Sequence, residues 1–406
     1  MASSFGEWFF MRKGFESFRL EPDKHRQLLL GKQDRAQRDR LLEGLQEAAF
    51  ALEGQKSVVY GDFGRGKTHL SKNLVWEIKR RKLPIYPIYV KCTEYRAKEP
   101  FSSFFKELVL ALRTQDLQGM AEEYARRLRT GARSMQDVTE SEDLGLVFEK
   151  GLAAPNLELV RRCMRWLGGE DKIHMGTISS ALPTRLNVSK EFGGVMKGIV
   201  HLFKEVGIGK TKIPLFLVDE AERFGLVSQT DTYWTWIAAL RELTEINGLG
   251  IIFFVGVASQ DDIPAQLVVD EVRTRIGVIN YIELYNPDRA ALKDFVLDLC
   301  STLIRKGSVP MEHREALADL GIDSEPDSVP TELLEIVSKD GATLGTYPFT
   351  EEALEAFVQS CSQASLANKP REVLIRVQKA ATKAMRLGRR LINNSIIEGI
   401  AKEVGV

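Results

Sequence analysis

Short runs of aliphatic and β-branched residues alternate along this chain with longer stretches whose apolar positions recur every three or four residues. Strands buried on both faces read as unbroken apolar runs, and helices lying on a sheet read as one apolar stripe. The alternation therefore predicts a parallel sheet covered by helices on both sides. The strand runs are Ser57 to Tyr60, Ile85 to Val90, Pro214 to Val218, Gly250 to Val257 and Tyr281 to Leu284. Between the second and third, Phe101 to Gly209 is too long for a single crossover and predicts an inserted set of helices, broken at Gly168-Gly169 and Gly193-Gly194. Asp319 to Tyr347, with Pro326, Pro330 and the neighbouring Pro348, reads as a loop-rich connection. Thr350, followed by Glu351, Glu352 and the apolar series Leu354, Phe357 and Val358, predicts a capped helix that opens a helical C-terminal part.

Composition narrows the class. A chain of 406 residues, 44% hydrophobic and 28% charged, is large enough to bury a core of its own and to form two or three structural units. Lys plus Arg equals Asp plus Glu at 56 each, so no global positive field draws the chain to nucleic acid or to an anionic membrane. The four cysteines form no CxxC pair and none clusters with the five histidines at metal-ligand spacing, which points to a reducing compartment and no structural zinc. Met1 to Phe10 shows no cationic stretch followed by an apolar run, and nowhere do eighteen consecutive apolar residues occur, so the expected location is the cytoplasm, with no membrane partner.

One segment carries specific chemistry. Gly61-Asp62-Phe63-Gly64-Arg65-Gly66-Lys67-Thr68 fits GxxxxGK[ST], follows a predicted strand and opens a helical pattern at Leu70, Leu74 and Ile78. Glycines at these places let successive backbone N–H groups turn inward toward phosphate oxygens at the positive end of a helix. Lys67 is expected to reach the β and γ phosphates of ATP and the Thr68 hydroxyl to ligate Mg²⁺. A second segment, Pro214-Leu215-Phe216-Leu217-Val218-Asp219-Glu220, delivers two carboxylates at the end of a buried strand. Asp219 is placed to hold Mg²⁺ and Glu220 to polarise the attacking water. The plainer reading of this pair, a strand running into the acidic helix start Asp219-Glu220-Ala221-Glu222, loses ground once the phosphate loop is set beside it.

From about Leu28 to Val406 these residues resemble an AAA+ ATPase, and four further segments match in order. Leu28-Leu29-Leu30-Gly31-Lys32-Gln33-Asp34-Arg35, followed by Leu41, Leu42 and Leu45, is similar to the "GR-x-x-E" segment that lies against the adenine in origin-initiator-type members, with Lys and Gln replacing part of that pattern. Ala258-Ser259-Gln260 ends the fourth strand run where the family carries its sensor 1 polar residue, either Ser259 or Gln260. Glu271-Val272-Arg273-Thr274-Arg275-Ile276 stands where the family places an arginine finger that acts on a neighbour's nucleotide: Arg275 first, Arg273 as the alternative. A solvated face of paired Arg and Glu is the competing reading there. Asn368-Lys369-Pro370-Arg371 is similar to the "G-x-P-R" start of the lid helix, with Asn in place of Gly, and implies that Arg371 touches the nucleotide. His69 completes a GKTH ending, which together with the Asp219 to Phe224 segment and the long insertion looks like the ATP-binding proteins of BREX phage-defence islands, beside the origin-initiator and transposition-regulator clades.

The resemblance implies a P-loop NTPase of α/β class with a five-stranded parallel sheet, a helical insertion at about 101–209 and a helical lid. Its parts would be an extension at 1–27, the nucleotide-binding core at 28–290 and the lid at 291–406. It further implies self-association in a ring or filament that acts as an ATP-driven switch or motor on DNA or for a DNA-processing partner. Two features weigh against direct DNA binding: the neutral total charge, and Asn393 to Val406 being too few residues for the winged helix of initiators. What remains is local, in the stripes Lys379, Lys383, Arg386, Arg389, Arg390 and Arg126, Arg127, Arg129, Arg133. A signalling ATPase that holds its insertion closed, or a protein-remodelling ATPase, are the alternatives. Tyr233, Trp234 and Trp236 could stack bases, but Trp236, Ala239, Leu240 and Leu243 fit a buried helical face better.

Overall fold

The computed structural model describes residues 4–93, 95, 100–226, 230–307, 309–322, 329–339, 342–363 and 369–404. In chain order they begin with α1 (Phe5–Trp8), α2 (Lys32–Phe50), β1 (Lys56–Gly61), α3 (Lys67–Arg80) and β2 (Ile85–Lys91). Six helices follow: α4 (Pro100–Leu110), α5 (Thr114–Leu128), α6 (Met135–Thr139), α7 (Glu142–Leu146), α8 (Leu157–Leu167) and α9 (Val188–Glu205). Next come β3 (Ile213–Asp219), α10 (Thr230–Glu245), β4 (Gly250–Gly256), α11 (Ala265–Val268), α12 (Asp270–Ile276) and β5 (Tyr281–Glu283). The remainder is helical: α13 (Arg289–Leu303), α14 (Met311–Asp319), α15 (Thr331–Lys339), α16 (Glu351–Gln363), α17 (Pro370–Arg386) and α18 (Asn394–Val404).

These elements fall into two compact units, one of Leu41–Gly61 and Glu77–Glu283, the other of Met1–Arg40, Asp62–Trp76 and Leu284–Val406. The first unit holds the sheet. All its pairings are parallel, in the order β2-β3-β4-β1-β5. Every residue of β3 and β4 is buried, as their unbroken apolar sequences require. Lys91 pairs with Asp219, and Gly61 with Gly256, so the register brings the C-terminal ends of β1, β2, β3 and β4 to one edge. The five strands lie where the apolar runs predict them, and the fold class is the expected one: α/β, a five-stranded parallel sheet with helices against it, helices between β2 and β3, and a helical C-terminal region. Trp236 is buried among Tyr95, Phe101, Phe104 and Phe224, which makes it a core residue, while Trp234 is exposed.

Two expectations are corrected. Gly168 and Gly169 do end a helix, α8, but Gly193 and Gly194 do not: α9 runs through them without interruption. A Cβ at Gly193 would lie 1.6 Å from Oε1 of Glu242, and one at Gly194 would lie 2.8 Å from Leu144 Cδ1 and the Thr139 carbonyl. Glycine costs about 1 kcal/mol against alanine inside a helix; at Gly194 it leaves room for the Thr139 carbonyl, a backbone atom, while at Gly193 the end of the flexible Glu242 side chain lies over the α9 backbone. The second correction concerns the connection 319–347, which contains α15. Pro330 precedes that helix, where a missing N–H removes no helical hydrogen bond, and Leu333 anchors the helix in the core.

The second unit has its own apolar core, built by Phe9, Phe18, Leu299, Tyr347, Phe357 and Val377 among others. The rings of Phe5, Phe9 and Phe18 pack against one another at 5.0 to 6.2 Å. A buried polar knot lies beside this core. Arg35 pairs with Asp298 and with Glu312 (3.0 Å), His313 lies 3.0 Å from Asp298 Oδ1, and Asp298 Oδ2 accepts the Gly31 N–H at 2.9 Å. In α16 the Thr350 hydroxyl accepts the Ala353 N–H at 3.3 Å, the cap the sequence predicts.

Candidate nucleotide-binding site

The loop Gly61 to Thr68 joins β1 to α3, the strand-turn-helix context that its sequence pattern demands. Gly64 (φ 81°) and Gly66 (φ 99°) are both left-handed, a backbone state that side chains strongly disfavour. A Cβ on Gly66 would meet nothing within 4 Å, so the space on that side of the loop is open. The N–H groups of the first turn of α3 have no carbonyl of their own helix to bond, and with the helix dipole they favour an anion. Lys67 extends its ammonium to the loop's own Asp62 carbonyl at 2.8 Å and lies 5.7 Å from the centre of the exposed Phe63 ring.

Neighbouring residues of the same unit brace this loop. Arg65, 2% exposed, donates to both carboxylate oxygens of Asp34 at 3.0 and 2.5 Å and to the Tyr285 carbonyl at 2.5 Å. Asn286 donates to Asp62 Oδ2 at 2.9 Å, Lys369 lies 3.4 Å from the same oxygen, and the Arg371 N–H donates to the Gly64 carbonyl at 3.3 Å. The His69 ring lies 2.5 Å from the Leu28 carbonyl, and burial pushes its pKa below the ordinary value, so the ring is neutral near pH 7. Of the residues expected at the nucleotide, Arg65 and His69 thus have their polar groups on Asp34, Tyr285 and Leu28, and the Arg371 side chain is exposed. Asn368 lies outside the described residues.

In the other unit, β3 carries Asp219 and Glu220 to the C-terminal edge of the sheet. Asp219 is buried. Its Oδ2 accepts the Tyr89 hydroxyl at 2.8 Å and its Oδ1 the Glu220 N–H at 3.0 Å. Glu220 has φ 59°, a left-handed conformation uncommon for a residue with a side chain. Its carboxylate sits between two cations, Lys91 at 2.9 Å and Arg223 at 2.6 Å. The neighbouring Glu222 accepts the Gly256 N–H at 2.7 Å, tying this turn to the end of β4. Among the described residues no three or more His, Cys, Asp or Glu side chains gather at metal-ligand distances.

Several of the remaining candidates are partnered within the chain. Ser259, exposed, donates to Asp262 at 2.9 Å, and Gln260 opens a short 3₁₀ turn. Arg275 on α12 is held by Glu245 at 2.5 Å and by the Glu271 carbonyl. In the basic stripes, Arg126 and Arg127 pair with Glu123, and Arg390 stacks on Trp8 and pairs with Glu332, whereas Lys379, Arg386 and Arg389 are exposed. Sequence reasoning passed over Asn286, Lys369, Tyr89, Lys91 and Arg223. Only the last residue of β2 and the i+3 position from Glu220 could have drawn attention to Lys91 and Arg223. Among the described residues no helix is long and apolar enough to cross a membrane.

No protein-family model matches the chain, and no curated protein matches its sequence. Solved structures do match. The Aeropyrum pernix ORC1 protein in complex with DNA is similar at 11% identity and a TM-score of 0.46, over 93% of this chain and 66% of that one. Drosophila ORC bound to DNA is similar at 11% identity and a TM-score of 0.44, over 93% and 62%. The ADP form of the Aeropyrum pernix ORC2 protein is similar at 11% identity and a TM-score of 0.43, over 91% and 67%. The chain spans less than two thirds of the length of the first two of these structures.

Proposed function

We propose that this chain binds and hydrolyses ATP in the manner of an AAA+ ATPase and serves as an oligomeric switch or motor on DNA, or for a DNA-processing partner, in phage defence, transposition or replication. The observation that carries the nucleotide reading is the loop Gly61 to Thr68, with β1 before it, α3 after it and left-handed glycines at 64 and 66. In this reading the first turn of α3 and Lys67 hold the phosphates. Thr68 and Asp219 are the oxygen ligands that would hold Mg²⁺, whose chemistry is to neutralise phosphate charge. A carboxylate oxygen such as that of Asp219 is the kind of donor that ion takes, and Asp219 is already oriented by Tyr89 and the Glu220 N–H. Glu220 takes the part of the group that orients and polarises water. Ser259 is proposed to sense the γ-phosphate, Arg371 to touch the nucleotide, and Arg275 to act across a subunit boundary. For DNA, the exposed cations Lys379 and Arg386 on α17 and Arg389 just after it are the supporting feature.

A signalling ATPase is the second reading, favoured by two observations. Glu220 is held between Lys91 and Arg223, an arrangement suited to slow turnover. A cleft of about 650 Å³ opens between α9 of the insertion and α10, lined by Lys197, His201, Lys204, Arg241 and Glu242, a volume suited to a small ligand. The two readings separate in one experiment: ATP hydrolysis measured with and without single- and double-stranded DNA, with mass followed by light scattering. Faster turnover together with growth in mass is expected of the DNA-assembled switch. Slow turnover at constant mass under every condition would replace it with the signalling reading.

A further inference from the structure

We infer that Lys369 is a second phosphate-binding lysine of the loop, held ready by Asp62 and released from it when a nucleotide enters; the inference rests on the ATP reading of Gly61 to Thr68. Two ammonium groups converge on Asp62. Lys67 donates to its backbone carbonyl at 2.8 Å, and Lys369 lies 3.4 Å from its Oδ2, which also accepts from Asn286 at 2.9 Å. Lys369 is only 9% exposed, and the partner its ammonium meets there is a carboxylate inside the phosphate loop itself.

Backbone contacts fix the arrangement. The Arg371 N–H, in the first turn of α17, donates to the Gly64 carbonyl, and a Cβ built on Gly64 would come within 3.8 Å of the Lys369 Cβ. The segment entering α17 is thus packed onto the turn where phosphates would lie, and Lys369 needs only its own side-chain rotations to exchange one oxygen for another. Asp62 offers a single negative charge, already shared with Asn286. A triphosphate offers several and competes successfully for a compact, non-directional ammonium. Asp62 then competes with phosphate for Lys369, opposing nucleotide binding electrostatically while keeping the lysine in place.

The test is affinity for MgATP and MgADP in the full chain and in its Lys67→Ala, Lys369→Met, Lys369→Arg and Asp62→Asn variants, with thermal melts alongside. Lys369→Met is expected to weaken ATP binding by about tenfold or more, as loss of a charge-assisted phosphate contact does. Lys369→Arg keeps most of the affinity, and Asp62→Asn tightens binding because the competing carboxylate is gone. A lysine that only braced Asp62 would make Lys369→Met and Asp62→Asn shift affinity in the same direction, and that result overturns the inference. So does unchanged affinity in Lys369→Met when Lys67→Ala abolishes binding. Should Lys369→Met fail to fold, the sign of the Asp62→Asn effect decides alone: tightening supports the role and weakening ends it. A wild-type chain that binds no ATP would overturn both this inference and the reading beneath it.

Discussion

The phosphate loop and the acidic end of β3 are both organised by ion pairs, yet in opposite ways. At the loop, Arg65 is almost wholly buried, forks onto both oxygens of Asp34 and adds the Tyr285 carbonyl. At the end of β3, Glu220 is held by Lys91, whose side chain is 59% exposed, and by Arg223. Removing one partner of a buried, fully bonded pair typically costs about 3–5 kcal/mol, while an exposed pair contributes about 0–1 kcal/mol. The left-handed backbone at Glu220 adds strain of order 1–3 kcal/mol to its turn. A loop whose shape is set before any ligand arrives needs the first kind of contact. A glutamate that must turn from rest to work needs the second.

The largest expected effect tests the glutamate itself. Glu220→Gln keeps the size and hydrogen-bonding reach of the side chain but removes the base, so ATP binding should persist while hydrolysis falls by roughly 10²- to 10⁴-fold. Equal turnover in the two proteins would remove Glu220 from the reaction and leave it a strained turn residue. Next in size is the clamp. Arg65→Ala strands Asp34 and the Tyr285 carbonyl; because Asp34 keeps some solvent contact, the expected loss is about 2–3 kcal/mol of unfolding free energy, below the range for fully buried pairs. Denaturant melts measure it. A loss under about 0.5 kcal/mol, within the range of ordinary surface changes, would mean that the loop holds its shape without the clamp and does not differ in this respect from the end of β3.

How much of this was legible in the sequence follows the range of each signal. Local signals carried far: the unbroken runs that became β3 and β4, the spacing of Gly61, Gly64, Gly66, Lys67 and Thr68, and the Thr350 cap are all read within a few residues. Long-range pairing carried no signal. Nothing about Arg65 announces Asp34 thirty-one positions earlier, and nothing about Asp62 announces Asn286 or Lys369. Gly193-Gly194 misled for the same reason, since a helix-breaking pair and a close-packing pair are spelled alike, and only the Thr139 carbonyl against the α9 backbone at Gly194 tells them apart. The aromatic residues of 5–18, set among Gly, Lys and Ser without helical or strand period, gave no hint that Phe9, Phe15 and Phe18 are core.

The smallest effect is the most discriminating for the acidic turn. Lys91 and Arg223 each neutralise Glu220, and both are partly exposed, so removing either should change stability by under about 1 kcal/mol. The consequence for turnover has a definite sign. If the two cations restrain the carboxylate, Lys91→Ala and Arg223→Ala each raise hydrolysis a few-fold and the double variant raises it further, with nucleotide affinity unchanged. If they instead aim the carboxylate at water, each variant lowers hydrolysis, and the pair is better described as positioning than as restraint. High salt distinguishes the same alternatives without mutation. Screening weakens exposed pairs far more than the buried Arg65–Asp34 contact, so a restrained Glu220 predicts wild-type turnover per bound nucleotide that climbs with ionic strength before the loop loosens, whereas an aimed one predicts a fall from the first addition of salt.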